Sequence, residues 1–379
     1  MPVNRLARSA LRALQANINH CRAAQDLLHQ HLHELDVDFA MVTEPFGSPN
    51  HPRWIQDLDN TTAITWAVTD RTSHEPIVTC WRGHGRVAVK LNNMLLTSCY
   101  VSPNSGRARF EHTLADLSRK LRGASLKQQI ITGDFNAKST AWGNRASDLR
   151  GRILLRWIQQ HDLIILNEGY EPTFVSHNGS SVEDLTLASR GAAQRIGTWR
   201  VLTDTETLSD YRYVYFESPI ISPNSSRQQL GRRWKVKKLD LTLLRAAAVT
   251  SSWQTTGDSF LTDATANVKA KRLRSQYVAI CDAAMPRSRP RKRPGSAYWW
   301  SDNLALMRKD CIAARRRLHA DKRRGRDVTA SLEAYRESRN GFRAAIRRAK
   351  EQAWEELIDS LNKEPFGRPY RLVLRKLQP

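Results

Sequence analysis

The sequence predicts a sheet-rich α/β body followed by a basic, mostly α-helical region, and three observations carry that reading. Short β-prone apolar runs alternate with helix-period patterns from residue 11 to about 217. Many of those runs follow one another with no helix between them, which favours mixed or antiparallel sheets with helices outside over a doubly wound parallel sheet. The charge is also divided: residues 1–222 hold 24 Lys+Arg against 22 Asp+Glu, whereas 223–379 hold 36 against 15, so +21 of the net +23 lies in the rear.

In chain order, residues 1–10 (MPVNRLARSA) form an N-terminal tail. It is basic enough to mimic a transit peptide but lacks the apolar core of a secretory leader. Strands follow at LRALQAN, DFAMVTE, AITWAV, RVAVKL, MLLTSCYV, QIITG, DLIILN, VEDLTLAS and YRYVYF. Amphipathic helices fall at Cys21 to Leu35, Arg109 to Leu121 and Leu149 to His161, where apolar residues recur at three- and four-residue spacing.

The turn-rich segment SPNSSRQQLGRR coincides with the charge shift and closes a first domain over residues 11–217. Residues 218–300 read as a basic linker with irregular and short helical segments, ending near the strap PRSRPRKRPG, whose prolines forbid a helix and whose arginines forbid burial. Residues 301–379 read as a basic helical hairpin. Ser301 or Asp302 caps a helix with the stripe Leu304, Met307, Cys311, Ala314 and Leu318. After the charged turn DKRRGRD a second helix carries Leu332, Tyr335, Phe342, Ile346, Ala349, Ala353 and Leu357. On this reading residues 11–217 fold alone, while 223–379 stay open to proteases in isolation.

Composition narrows the function classes. A 40% hydrophobic content with eleven Trp and nine Phe excludes disorder throughout. Five cysteines without a C-x-x-C pair indicate neither a disulfide framework nor a zinc ribbon, as fits a reducing compartment. Nothing approaches about 18 uninterrupted apolar residues, so a soluble intracellular chain with no membrane partner is expected. The basic rear suits a polyanion through counterion release, with a solvated arginine-rich surface as the plainer reading. Candidate nucleic-acid contacts are Arg287, Arg289, Arg291, Lys292 and Arg293 in the strap, and Arg315, Arg316, Arg317, Lys322, Arg323 and Arg324 in the hairpin, with Thr173 in the front.

Three carboxylates stand at strand ends: Glu44 in MVTEPF, Asp134 in IITGDFNA and Asp210 in LSDYRY. Taken singly, each acid is more often a turn former or cap. Oxygen ligands where loops meet solvent are nevertheless what Mg²⁺ needs, since it keeps several waters and takes one or two carboxylates beside a substrate phosphate. In GDFN, Gly133 permits a tight backbone, Asp134 supplies an acid, and Asn136 an amide that can orient water or a phosphate oxygen. Histidines 29, 31 and 33 lack the H-E-x-x-H order of a zinc site and read as exposed helix residues, and GHG at 83–85 reads as a turn.

With Asn17 in LQANIN, Glu44 in TEP, Tyr100 in CYVSPN, Thr173 in PTF, Asp184 in VEDLT and Ser209-Asp210 in SDYRY, the GDFN word resembles the endonuclease/exonuclease/phosphatase superfamily, in the same order and over about residues 11–217. More narrowly, QANINHCRAAQDLL, GDFNAKSTAWGN, the RG of DLRGR, NGSSVEDLTLAS and ETLSDYRY look like the apurinic-type endonuclease of non-LTR retrotransposons. YWWSDNLALMR and PFGRPYRLVLRKL look like the connector that leads into reverse transcriptase. No Y-A-D-D word follows, so the chain reads as a truncated copy or a fragment.

The resemblance implies a four-layer αββα sandwich of two mixed sheets flanked by helices. It also implies Mg²⁺-dependent nicking (Mn²⁺ as the substitute) that leaves a 3′-hydroxyl for target-primed retrotransposition. Carried over by position, Glu44 binds the metal with Asn17 and Asp210 nearby, and Asp134 and Asn136 position the attacking water. Tyr100 donates to the scissile phosphate, and Asp184 orients the residue after Asp210. Implied partners are target DNA, element RNA and a reverse transcriptase domain, and the implied site of action is the nucleus, with the cytoplasm as the other compartment.

The family word is S-D-H, yet Tyr211 follows Asp210 here. A phenol stays protonated at neutral pH where imidazole exchanges a proton, and loss of such a group costs roughly 10²–10⁴ in rate. Glu183 is a second departure, at a position usually apolar. Three readings follow: the endonuclease, with Tyr211 set against activity; a catalytically silent nucleic-acid-binding module; and a phosphatase or phosphodiesterase acting on a small molecule or lipid, in which the basic rear has no role.

Overall fold

The computed structural model describes residues 10–47, 49, 51, 53–67, 77–91, 93–123, 128–169, 171–176, 179–219, 234, 236–256, 266–286 and 296–363. Strap residues Arg287, Arg289, Arg291, Lys292 and Arg293, and the word PFGRPYRLVLRKL, lie outside them. The chain divides into two units, one of residues 1–220 with 293–379 and one of 221–292.

In the larger unit the front elements run β1 (Ala10–Asn17), α1 (Arg22–Glu34), β2 (Phe39–Thr43), β3 (Trp54–Gln56), β4 (Thr62–Trp66), β5 (Val78–Gly83), β6 (Arg86–Leu91), β7 (Met94–Tyr100), α2 (Arg107–Gly123), β8 (Gln128–Asp134) and α3 (Leu149–Gln160). They continue with β9 (Leu163–Ile165), β10 (Phe174–Val175), β11 (Ser180–Ser181), β12 (Asp184–Ser189), α4 (Arg190–Ala193), β13 (Thr198–Val201) and β14 (Val214–Pro219). One six-stranded sheet has the order β13-β14-β1-β2-β4-β3 and the other β5-β6-β7-β8-β12-β9. Each is mixed, with β1 parallel to β2 in the first and β7 parallel to β8 in the second.

Period-two alternation builds the layers. Leu11, Ala13, Phe39, Met41, Ile64, Val87, Val89, Leu96, Ile130 and Phe216 fill the core between the sheets. Alternate residues face outward: Leu95, Ile131 and Leu185 lie under Phe110, Leu114, Leu154 and Trp157 of α2 and α3, and Leu14, Ala16 and Val42 lie under α1. Two mixed sheets flanked by helices are thus the fold the residues predict. His31 departs from its expected exposure: it is buried against Tyr213, its Nδ1 3.3 Å from the tyrosine hydroxyl. A helix face that packs on a sheet accepts an imidazole there because the phenol satisfies one ring nitrogen.

The smaller unit holds α5 (Leu241–Thr256), N-capped by the Asp240 carboxylate, and α6 (Ala266–Ala284). They are longer than the short segments expected of residues 218–300, because Leu- and Ala-rich stretches sustain a helix once capped.

The last two helices, α7 (Asp302–Arg323), N-capped by the Ser301 hydroxyl, and α8 (Thr329–Lys363), form the hairpin. The sequence reading set residues 301–379 apart; in the structure the hairpin is part of the front unit's core. Leu304, Phe342 and Ile346 are buried in one cluster with Leu14, Leu28 and Tyr213. Arg308, Arg315, Arg316, Arg339 and Lys350 pair with Glu34, Glu206, Asp204, Asp210 and Asp26 of the front. An apolar stripe flanked by cations closes on an acidic, apolar face because both burial and charge favour it.

Candidate active site

The candidate residues meet because of strand direction. Asn17 ends β1 beside Thr43 of the parallel β2, and Glu44 follows. Tyr100 ends β7 in register with Asp134 at the end of β8, and Asp184 opens the antiparallel β12 opposite that same Asp134. The Ser209–Tyr211 loop precedes β14, antiparallel to β1. One end of both sheets therefore collects Asn17, Glu44, Tyr100, Asp134 and Asp184.

Hydrogen bonds join the two sheets there. Asn17 Nδ2 donates to Asp134 Oδ2 at 3.0 Å, the Tyr100 hydroxyl to Glu44 Oε1 at 2.6 Å, and Gln15 Nε2 to Asp184 Oδ1 at 3.3 Å. Asp134 Oδ1 accepts the Asn136 backbone N–H at 2.9 Å, and Asn136 Nδ2 holds the Val101 carbonyl. Glu44 and Asn136 both take left-handed backbone, with φ of 49° and 45°. Such conformations cost about 1–3 kcal/mol each and persist where surrounding contacts enforce them. A Cβ at Gly133 would strike the Cys99 carbonyl of the neighbouring strand, and one at Gly151 the Lys138 carbonyl, so both glycines are sterically required.

Burial and like charge dominate the electrostatics. Burial, then the Asp184 charge, then those of Glu183 and Glu44 raise the Asp134 carboxyl well above its usual range, and Asp184 is pushed up to about 7, chiefly by burial. Burial and the Glu44 contact raise the Tyr100 phenol, so it remains a donor. Side-chain contacts from Thr173 and Gln15 oppose that rise at Asp184. Glu183 is stabilised by the Ser181 hydroxyl at 2.7 Å and the Lys138 ammonium at 3.5 Å, which explains how an acid is tolerated at that position.

Several site residues differ from expectation. Thr173, expected at nucleic acid, is fully buried, and its hydroxyl accepts the backbone N–H groups of Glu183 and Asp184, both at 3.2 Å. Ser209 Oγ accepts the Tyr211 N–H at 3.3 Å. The Tyr211 ring is buried against Phe174, with centroids 4.9 Å apart. Asp210, expected near the metal, pairs with Arg339 through Oδ1. Arg315, expected at nucleic acid, is committed to Glu206 and to the carbonyls of Thr203 and Thr205, and Arg316 pairs with Asp204. Arg317, Lys322, Arg323 and Arg324 are exposed.

The sequence reading missed Gln15, Arg150 and His20. Gln15 lies two residues before Asn17, on the same face of β1, which alternation could have flagged. Arg150, in the quoted DLRGR, donates to the carbonyls of Val101, Ser102, Pro103 and Phe135, fixing the loops that follow Tyr100 and Asp134. His20 Nε2 stands 3.7 Å from Glu44 Oε1. No local signal distinguished Arg339, whose partner is 129 residues away.

No group of three or more His, Cys, Asp or Glu in metal-binding proximity occurs among the described residues. The donor chemistry nonetheless suits a hard divalent cation, which needs only one or two carboxylates. The charges of Glu183 and Glu44 help to raise the proton affinity of Asp134 and Asp184, a charge imbalance that a cation offsets. Among the described residues no helix is long and apolar enough to cross a membrane.

Residues 94–215 match a family model described as endonuclease-reverse transcriptase. The chain is 26% identical over 269 residues, 66% of its length, to the Pol polyprotein of type-1 retrotransposable element R1 of Bradysia coprophila. It is 36% identical over 87 residues, 22% of its length, to the RNA-directed DNA polymerase of mobile element jockey of Drosophila funebris. It spans 26% and 8% of those two proteins. The solved endonuclease domain of TRAS1, a telomere-specific non-LTR retrotransposon, aligns at a TM-score of 0.49 and 27% identity over 55% of this chain and 98% of that one. The stretch carrying Tyr100, Asp134, Asn136, Asp184, Ser209, Asp210 and Tyr211 is thus the one matched by the endonuclease-reverse transcriptase family, and the chain resembles the polyproteins of non-LTR retrotransposons.

Proposed function

We propose that the chain is a divalent-metal-dependent DNA endonuclease domain that nicks one strand and leaves a 3′-hydroxyl for reverse transcription. The observation that carries the reading is the inter-sheet cluster of Asn17 with Asp134, Glu44 with Tyr100 and Gln15 with Asp184, within and beside the family-matched stretch. Glu44 would hold Mg²⁺ or Mn²⁺ with Asn17 beside it. When bound, the cation supplies Lewis-acid stabilisation of phosphoryl charge. Asp134, whose proton affinity is raised, takes a proton from the attacking water, while Asn136 fixes its carboxylate through the backbone N–H. Tyr100, a protonated phenol, donates to a phosphate oxygen. Target DNA in the nucleus, element RNA and a reverse transcriptase domain are the partners this reading implies.

A second reading, a catalytically silent nucleic-acid-binding module, is favoured by Tyr211 in place of histidine and by the pairing of Asp210 with Arg339. Conversion of supercoiled plasmid to open circles in Mg²⁺ separates the two. The endonuclease reading expects nicking that EDTA stops and that Asp134→Asn and Glu44→Gln each abolish. DNA binding with no nicking at any Mg²⁺ or Mn²⁺ concentration supports the silent module.

A further inference from the structure

The hairpin and the Ser209–Arg212 loop line a cavity of about 130 Å³ that Asp210 and Tyr211 border. That is well below the roughly 300–1,000 Å³ of pockets for whole small molecules, and it suits one charged group. Its lining is strongly cationic: Arg212 from the front and Arg315, Lys322, Arg336 and Arg339 from the hairpin, with the His319 imidazole among them.

These cations sort into two groups. Arg212 pairs with Glu171, Arg315 with the fully buried Glu206, and Arg339 with Asp210, so their charge is largely offset within the protein. Lys322 and Arg336 are exposed and pair with no carboxylate among the described residues. Two uncompensated cations therefore converge from the end of α7 and the start of α8 on the loop that carries Asp210. The hairpin has no internal need for that convergence, since like charges brought together destabilise it. The field is visible in His319, whose proton affinity is lowered first by burial and then by Arg212, Arg315, Lys322 and Arg323.

We propose that this cavity is a subsite for backbone phosphates of the DNA strand leaving the catalytic centre, with Lys322 and Arg336 as its phosphate contacts and Arg339 linking it to Asp210. The proposal rests on the endonuclease reading of the neighbouring site and adds that the connector hairpin completes the DNA-binding face. Phosphate contacts by flexible cations give affinity and register without base preference, in keeping with a lining whose aromatic rings are the bonded Tyr335, the buried Tyr211 and the His319 imidazole, set among cations.

The test is equilibrium binding of a fluorescein-labelled DNA duplex in EDTA, where no cleavage occurs, across a salt series. The whole chain is compared with Lys322→Gln plus Arg336→Gln, with Lys322→Glu as a second variant. Lys120→Gln plus Arg122→Gln on α2, outside the cavity, serves as the charge control. Both cavity positions are exposed, so thermal midpoints should be unchanged. The slope of log K against log salt should fall by about two units in the double variant, one per phosphate contact. It should change far less in the control, and Lys322→Glu should weaken binding more than loss of one charge does.

An unaltered slope and affinity in the cavity variants overturns the proposal, as does an effect equalled by the α2 control. Plasmid nicking by the unaltered chain is scored in parallel. Nicking with no cavity dependence sinks the subsite alone. Cavity-dependent binding without nicking upholds the subsite and sinks the endonuclease reading.

Discussion

Arg339, about a third of the way along α8, places its Nη1 3.0 Å from Oδ1 of Asp210, the acid of the S-D-Y word. One turn further along, Arg343 donates to the carbonyl of Leu208, itself held at a φ of 58°, and Arg315 of α7 engages Glu206, Thr205 and Thr203. The loop from residue 203 to 210 is therefore shaped from outside, by side chains of the hairpin.

Arg339→Gln should loosen that loop more than it unfolds the chain. Asp210 keeps 38% of its side-chain surface exposed, so solvent screening limits the ion pair to about 1 kcal/mol. We expect a fall in Tm of about 2 °C, together with faster amide exchange in residues 203–211 by mass spectrometry. Exchange spread evenly over the front would contradict a local role.

Phe342→Ala should be far more costly, because Phe342 is fully buried in the cluster that α8 shares with α1 and β1. Truncating a buried phenylalanine costs about 3–5 kcal/mol. Denaturant unfolding followed by tryptophan fluorescence should show one earlier, cooperative transition for the front and hairpin together. A normal midpoint for the front would mean that the hairpin is an independent appendage.

Asp184 links stability to pH. Burial, aided by the charges of Glu183 and Glu44, raises its carboxyl from an ordinary 3.8 to about 7, so between those values the folded chain holds a proton that the unfolded chain does not. Stability from this group is complete below the lower value and is lost as pH rises through the upper one. Asp184→Asn keeps an oxygen for Gln15 and cannot ionise. Its Tm in EDTA should decline less than that of the unaltered chain between pH 4 and 8, and should exceed it at pH 8. Parallel profiles for the two proteins would rule the linkage out.

Tyr211→His should raise Mg²⁺-dependent nicking by about two orders of magnitude, the lower end for a restored acid or base. Burial and the charges of Asp134 and Asp184 hold the Tyr211 phenol protonated. An imidazole at position 211 brings a group that titrates near neutral pH. Adding Glu44→Gln should cancel the gain. Robust nicking by the unaltered chain would transfer the role to another imidazole, such as His20 near Glu44 or His177, which lies outside the described residues.

The sequence by itself determined the two sheets and the contents of their common edge. Alternating burial sets which side of β1, β7 and β8 faces the inter-sheet core, and tight words such as GDFN and TEP place their acids just where strands end, because turn chemistry is local. Only the tertiary structure decided where the hairpin goes. The stripe containing Leu304, Phe342 and Ile346 announces a face to be buried but not the surface that buries it, and a run of arginines reads alike whether it meets phosphate or carboxylate. Here Arg315 and Arg339 meet Glu206 and Asp210, acids more than a hundred residues earlier in the chain, and long-range pairing of that kind leaves no periodic trace in the sequence.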